Sequence, residues 1–569
     1  MSTPKVNWMF IPASALIEVF DLLPRSSIAN VARVNQSWYR LAMCALWSTV
    51  DCQVFETLGI MYRPYSGGRS SRSWEFEMLP GESGWRKLLN NSHRVLHLIL
   101  PKARSGYVIG EKALSTIART RPVMEIFSNL KVLTCNLSRL DPTIMSRSVV
   151  EIHIIVDVEA TPKRIVDVET VFSTVHHRMP NIERVYVEGT QYYHGFEMQF
   201  TYLVSGLHNV VGYERPSTLL TPSSLLPLSA LPLLQRLVVS RSASDLETFR
   251  IREGFMEDRM IVKFRVGAFP SLRFLEVNAR SVSAVVRILE DENFPAPSLV
   301  HIWVNFIYSE ETSGKCIQNF MAVLVSRCPH LETLVIRFSD GAGDMSPSTE
   351  PYHRISFENI RRFLSLQNLT TFSIDHRRPI EVNITQAKNL AYRAHRFHTL
   401  WLNPSPIPEL EEGLPLEVLL WFARYCPRMR RLGLFLDASF PVFRPYSKSR
   451  FRHLDELFVG SSPLSMLDSS TSQGSWIRTG RLLSSILPAR CRLSWASEWD
   501  LGKFDDISRR RLSLIVREAD ASNPWCAVLQ FVHILMTDNV EVWKALEDLV
   551  ADERVTHCAQ DFVFMDISD

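Results

Sequence analysis

The side chains of this 569-residue chain that could do chemistry are suited to holding a partner, not to making or breaking bonds. Four large aromatics, Tyr186, Trp303, Trp401 and Phe458, stand between apolar residues in short runs such as LVHIWV (299–304) and FHTLWL (397–402). In an extended run the flanking apolar residues turn to a core and the residue between them turns the other way. Arg184, Arg236, Glu276, Arg337, Asp375 and Arg431 occupy the same outward positions. Rings beside arginines on an open strand face have the composition of binding hot spots: the ring buries area and the guanidinium selects a charge. No nucleophile elbow, HExxH, P-loop or paired metal-ligand spacing occurs. His176-His177 precedes a proline break and reads as an exposed helix end. No catalytic residue, metal or cofactor is therefore expected.

Those aromatics sit in a pattern that returns along the chain: apolar, two positions, apolar, one position, apolar. It is seen in LKVLTC at 130, VVEIHI at 149, IERVYV at 182, LQRLVV at 234, LRFLEV at 272 and LETLVI at 331. LTTFSI at 369, MRRLGL at 429 and LDELFV at 454 continue it, with fainter copies at 95 and 207. The alternating end of each copy predicts a strand. Helical periodicity precedes most copies, as in Ile165 to His176, Cys316 to Arg327 and Leu416 to Tyr425. Between helix and strand comes a proline break, at Met179-Pro180, Leu231-Pro232, Phe269-Pro270, Cys328-Pro329 and Cys426-Pro427. Proline ends a helix and donates no ladder bond, so it belongs just before a strand. The grammar resembles the leucine-rich repeat. The fold class is then α/β: an irregular solenoid over 93–500, a horseshoe with parallel strands on its concave face and helices outside. A doubly wound α/β enzyme also alternates helix and strand, but no Gly-rich βα turn follows any of these runs.

Composition narrows the classes further. The chain is 46% hydrophobic and 22% charged, and 63 basic residues against 60 acidic leave a net charge of +3. That balance is no electrostatic footprint for nucleic acid or an anionic membrane, and Arg509-Arg510-Arg511 reads as a solvated helix end. Glu18 and Asp21 interrupt the apolar N-terminus, so a signal peptide is not expected. Nine cysteines without CxxC pairs read as reduced thiols, in keeping with a cytoplasmic or nuclear protein. Residues 59–84, rich in Gly, Ser and Arg, read as a loop within a linker spanning 53–92, with Ser70, Ser71 and Ser73 beside arginines. Residues 501–569 leave the repeat and read as a partly helical extension.

The first 50 residues hold a different unit. Pro12 suits the first turn of a helix that places Ala15, Leu16, Val19, Phe20 and Leu23 on one side. Pro24 and two serines restart the chain into a helix carrying Ile28, Val31 and Ala32. A third, around Ser37 to Ala45, brings Trp38, Leu41 and Ala42, and Leu46-Trp47 closes the unit. Three short helices without disulfide or metal make a poor independent core, so a partner is the natural completion. The stretch resembles an F-box over residues 10–50. Ile11-Pro12 stands for Leu-Pro, Val19-Phe20 for Ile-Phe, and Leu23-Pro24, Val34, Trp38 and Leu46-Trp47 keep the family's types. Ser14, Ala15 and Asn35-Gln36 depart from it.

An F-box-like domain at 8–52 ahead of leucine-rich repeats implies a substrate receptor of an SCF-type cullin–RING ubiquitin ligase. The resemblance assigns Pro12, Leu16, Val19, Phe20, Leu23, Pro24, Val34, Trp38, Leu46 and Trp47 to the Skp adaptor. The repeat strands would then hold a protein substrate through Arg184, Tyr186, Arg236, Glu276, Trp303, Arg337, Trp401, Arg431 and Phe458. Two other readings stand beside it. One is a leucine-rich-repeat scaffold whose N-terminal helices only cap it. The other is a hydrolase or transferase, which requires a deep pocket with convergent polar groups.

Overall fold

Three helices open the chain, each stopped by its own sequence. The computed structural model describes residues 12–62, 73–100, 108–156, 165–189, 197–216, 222–240, 262–279, 281–307, 313–339, 354–376, 378–406, 413–438, 449–462, 464 and 475–495, with 525, 528 and 532. Ser70, Ser71 and Arg509 to Arg511 lie outside them. Helix α1 (Ala13–Leu22) starts on Pro12 and ends at Leu23, where the following Pro24 disfavours helical backbone. Helix α2 (Arg25–Val31) starts on that proline. Helix α3 (Gln36–Ser48) is capped by Asn35, whose side-chain oxygen accepts from the Trp38 amide at 2.9 Å.

The chain divides into two units, Met1–Met256 with Met260–Leu272 and Asn293–Pro295, and Glu257–Arg259 with Arg273–Glu292 and Ala296–Asp569. In the first, α3 runs into β1 (Thr49–Asp51), and β2 (Met61–Tyr62) and β3 (Ser73–Phe76) form an antiparallel pair. There follow β4 (His97–Ile99), β5 (Val108–Ile109), β6 (Val132–Asn136), β7 (Glu151–Val156), β8 (Arg184–Gly189), β9 (Gly212–Pro216) and β10 (Arg236–Ser240). Strands β1, β4, β6, β7, β8, β9 and β10 lie side by side in sequence order, all parallel. In the second unit β11 (Phe274–Ala279), β12 (His301–Ile307), β13 (Thr333–Ser339), β14 (Thr371–Asp375) and β15 (Thr399–Leu402) do the same. Beyond β16 (Leu414–Pro415), β17 (Arg431–Leu434), β18 (Leu436–Asp437), β19 (Glu456–Gly460) and β20 (Arg492–Trp495) extend it, while β16 and β18 pair apart. The protein is thus mixed α/β: an N-terminal helical region followed by parallel strands alternating with helices.

The alternation anticipated from sequence sets the packing. Along β7 every second residue is buried, and Leu133, Ile152, Val185 and Leu237 are sealed between neighbouring strands and helices. Each such side chain contributes about 1.5–3 kcal/mol when it leaves water. One backbone device starts most of the parallel strands: Val150 and Glu151 both donate to the Lys131 carbonyl, and Glu183 and Arg184 both donate to Val150. Glu332 and Thr333 repeat it on Val300, and Arg430 and Arg431 on His398. A polar ladder joins the breaks. Asn129 donates to the His93 carbonyl, Asn181 to Arg147, Asn209 to Pro180, Ser271 to Pro232 and Asn368 to Pro329. In each case the donor immediately precedes the first buried residue of its strand motif.

Two expectations change, for residues 53–92 and for His176. The stretch 53–92 is packed in its described parts: Val54, Phe55 and Leu58 on the turn Cys52–Leu58 are buried with Trp85 and Leu88 of α4 (Glu82–Ser92). A Cβ on Gly84 would fall on the Leu58 carbonyl, so α4 lies against that turn. The Gly/Ser composition between them hid two short amphipathic segments. His176 is half-buried, with Nε2 2.7 Å from the Leu203 carbonyl, because the next helix covers it. The extension contributes to the second unit, where Trp525, Val528 and Val532 are buried and the Trp525 indole donates to the Ser462 carbonyl. The ladder carries a prediction. Asn181→Ala should cost about 0.5–1 kcal/mol by losing an exposed hydrogen bond to the Arg147 carbonyl, read as faster amide exchange in β7 and β8 with exchange in the second unit unchanged.

Candidate functional site

The N-terminal helices leave an apolar surface because their core is small. Leu16, Phe20, Ile28 and Ala42 form that core, with Leu23, Val31, Ala32, Trp38, Leu41, Ala45 and Leu46 packed around it. The Phe20 and Trp38 rings meet edge to face at 6.0 Å. Arg25 closes the end of α3, donating to the Leu46 carbonyl at 2.9 Å and Thr49 at 3.0 Å. A cation there complements the helix dipole. Neither Arg25 nor the Asn35 cap was picked out from sequence, although an Asn just before a helical run is a readable signal.

Left in solvent are Ile17, Val19, Leu22, Val34 and Tyr39, with Leu22 83% exposed. The residues assigned to the adaptor from sequence differ in exposure. Leu16 and Phe20 point into the unit's own core, and Trp38, Leu23, Leu46 and Trp47 are half-buried. Pro12 and Pro24 are exposed chain breaks, and Val19 and Val34 are exposed. Leu16 and Phe20 are buried because a three-helix unit spends its largest side chains on itself before it can offer any.

Residues 8–53 match the F-box-like family. The chain carries an F-box-like domain. Among curated proteins none matches the chain. F-box-like domains generally bind the Skp adaptor within SCF complexes, and the proteins that carry them are typically non-catalytic adaptors.

The strand-face residues fall in both units. In the first, Arg184 Nε lies 3.0 Å from Glu151 Oε2, and His153 Nε2 lies 2.7 Å from Glu151 Oε1. Tyr186 stacks on His153 at 4.4 Å. Burial, reinforced by Glu151, pushes the Tyr186 phenol above its ordinary value. His97, bonded to Thr134 at 2.9 Å, is pushed down by burial and by His153. Arg236 is exposed on β10. Neither histidine was singled out from sequence, though both hold the outward positions of their motifs.

In the second unit Glu276, Trp303, Arg337, Trp401 and Arg431 are half-buried on β11 to β17. The Arg337 guanidinium lies 5.8 Å from the Trp303 ring centre, and its Nε is 3.9 Å from Asp375 Oδ2. Arg431 Nε is 3.8 Å from Glu456 Oε2, and the Ser494 hydroxyl donates to Glu456 Oε1. Phe458 needs correction: it is 2% exposed, stacked on Trp401 at 4.9 Å. Trp401 reaches it across Gly433, where a Cβ would come within 2.7 Å of the indole. A glycine inside a central strand marks such a close approach, and that signal was readable in MRRLGL.

Among the described residues no cluster of His, Cys, Asp and Glu is set to hold a metal, and no helix is long and apolar enough to cross a membrane. A cleft of about 560 Å³ in the first unit is lined by residues including Glu56, Thr57, Trp74, Ser83 and Lys87, without histidine or cysteine.

Two outcomes are expected. Gly433→Ala should displace the indole, changing its fluorescence and costing about 1–3 kcal/mol of stability in the second unit. Asp375 is raised by burial from an ordinary 3.8 to about 6, with Arg337 opposing. Its protonated form is favoured by folding, so that contribution is full below pH 3.8 and lost as pH rises through about 6. Urea unfolding of Asp375→Asn should lack this fall between about pH 4 and pH 7.

Proposed function

We propose that this chain is a substrate-recognition subunit of an SCF-type ubiquitin ligase. Its F-box-like domain docks on the Skp adaptor and, through it, on a cullin–RING core. Its strand units are an irregular leucine-rich-repeat solenoid whose concave face captures a protein substrate in the cytoplasm or nucleus. On this reading the chain performs no bond chemistry. It raises the effective concentration of a substrate lysine near a charged ubiquitin-conjugating enzyme held elsewhere in the assembly.

The observation that carries the reading is the F-box-like match over 8–53 on a helical unit that leaves Ile17, Val19, Leu22, Val34 and Tyr39 in solvent. Each large apolar side chain buried on a partner contributes about 1.5–3 kcal/mol before ordering costs. The repeated helix–break–strand grammar and the parallel strands in sequence order support the solenoid.

A second reading, a scaffold whose helices only cap it, draws on α3 running into β1, which pairs with β4. Titration of the full chain with the Skp adaptor separates the two. Wild type is expected to bind with submicromolar affinity. Leu22→Asp and Val34→Asp, both at exposed positions, are expected to weaken it at least roughly tenfold with unfolding midpoints unchanged. No binding by the folded wild-type chain would leave the scaffold.

A further inference from the structure

We propose that Arg337, stacked on Trp303, is the receptor for a carboxylate side chain on an acidic segment of the captured protein. This rests on the substrate-receptor reading and names the chemistry of its ligand.

Arg337 is held differently from Arg184, and unlike Arg431, whose carboxylate also stands at 3.8 Å, it has a buried Nε without an acceptor. Arg184 has its carboxylate partner at hydrogen-bond distance, 3.0 Å. Arg337 has Asp375 at 3.9 Å, beyond hydrogen-bond range. Its Nε is buried without an acceptor, and none of its N–H groups donates to a described residue. The Trp303 indole Nε1 beside it is also buried and unpaired. Unpaired buried donors are costly, so a cluster of them is a place where an incoming acceptor gains more than it would in water. The Arg337 side chain keeps 32% of its surface, so the guanidinium remains within reach of a partner.

Two further features fit an anion. The stacking on Trp303 at 5.8 Å holds a long side chain in place, so part of the ordering cost is met before any ligand arrives. Asp375 is a distant counter-charge, because its carboxylate stands 3.9 Å from Nε and accepts no hydrogen bond from the guanidinium. The guanidinium is thus pre-positioned and incompletely neutralised.

The neighbours choose between oxyanions. Strand register sets Asn305 on one side of Arg337 and Asp375 on the other. The Asn305 side chain is half-buried and can offer an amide donor. A planar carboxylate matches the guanidinium fork in a bidentate pair. A phosphate dianion would meet stronger repulsion from Asp375 at this distance. Beside the fork, Trp303 and Val335 share the next register row and suit the methylenes of a glutamate stem. Charge and shape therefore favour a monoanionic, stemmed side chain.

The test uses the full-length chain and fluorescein-labelled hexaglutamate, hexaglutamine and phosphoserine hexapeptides, read by fluorescence anisotropy. Hexaglutamate is expected to bind, with hexaglutamine at least roughly tenfold weaker. Arg337→Gln should lose about tenfold in hexaglutamate affinity. Arg337→Lys, which keeps the charge but not the fork, should lose most of the same. Asp375→Asn should bind more tightly than wild type. Circular dichroism and the unfolding midpoint identify folded variants, and the lysine variant stands in if the glutamine variant does not fold. Wild-type affinity in folded Arg337→Gln or Arg337→Lys overturns the proposal, as does equal binding of hexaglutamine. Tighter binding of the phosphoserine peptide overturns the choice of carboxylate. Adaptor titration of the same samples separates the two readings: Arg337-dependent capture without adaptor binding would sink the ligase reading and leave this receptor standing.

Discussion

No repeating unit of this chain can bury its apolar residues by itself. A helix, a break and a five- or six-residue strand have one apolar stripe and nothing to close over it, so each depends on the next. That constraint explains the parallel strands in sequence order within each unit, the shared carbonyl that starts most of them, and the side-chain bonds from one break to the break before it, as at Asn129 in the first unit and Asn368 in the second. It also explains why the breaks carry Pro or Asn. The chain must leave the helix there, and the polar group at the break must find the carbonyl of the preceding unit.

Once the first, fourth and sixth positions of each motif belong to the core, the positions between them are free to vary. They come into register across neighbouring strands: Phe274 beside His301 and Thr333 in one row, Glu276 beside Trp303 and Val335 in the next. Function is then written in rows that run across strands, not along the sequence. Gly433 belongs to such a row. Its missing side chain lets Trp401 lie over one strand to stack on Phe458 two strands away. The N-terminal helices obey the same economy at smaller scale. Leu16 and Phe20 are consumed by their own core, and what remains outside is what a partner can use.

The strand faces differ in how completely their charges are answered. In the first unit Glu151 serves both Arg184 and His153, and Tyr186 stacks beside them, so that cluster is internally satisfied. In the second, Arg337 is held by an aromatic ring and a distant carboxyl that burial pushes toward neutrality. Satisfied clusters stabilise the fold. Incompletely answered ones are where a partner gains most by arriving.

Sequence alone determined the alternation of helix and strand, the breaks between them, the inward positions of the strands and the F-box-like stretch. These are local properties: they follow from periodicity, from proline and from spacing within a few dozen residues. Which side chains remain available was decided only by tertiary structure. Phe458 was assigned to the open face and does lie in its row, yet Trp401 covers it, a contact between residues 57 positions apart. Leu16 and Phe20 fit the family pattern and are buried all the same. The packed segments around 53–92 were hidden by the glycines and serines between them, and Arg25 closes the end of a helix 21 residues away through a contact that no periodicity records. Burial and pairing are set by what another part of the chain brings against a residue, and a pattern read along one dimension carries no term for it.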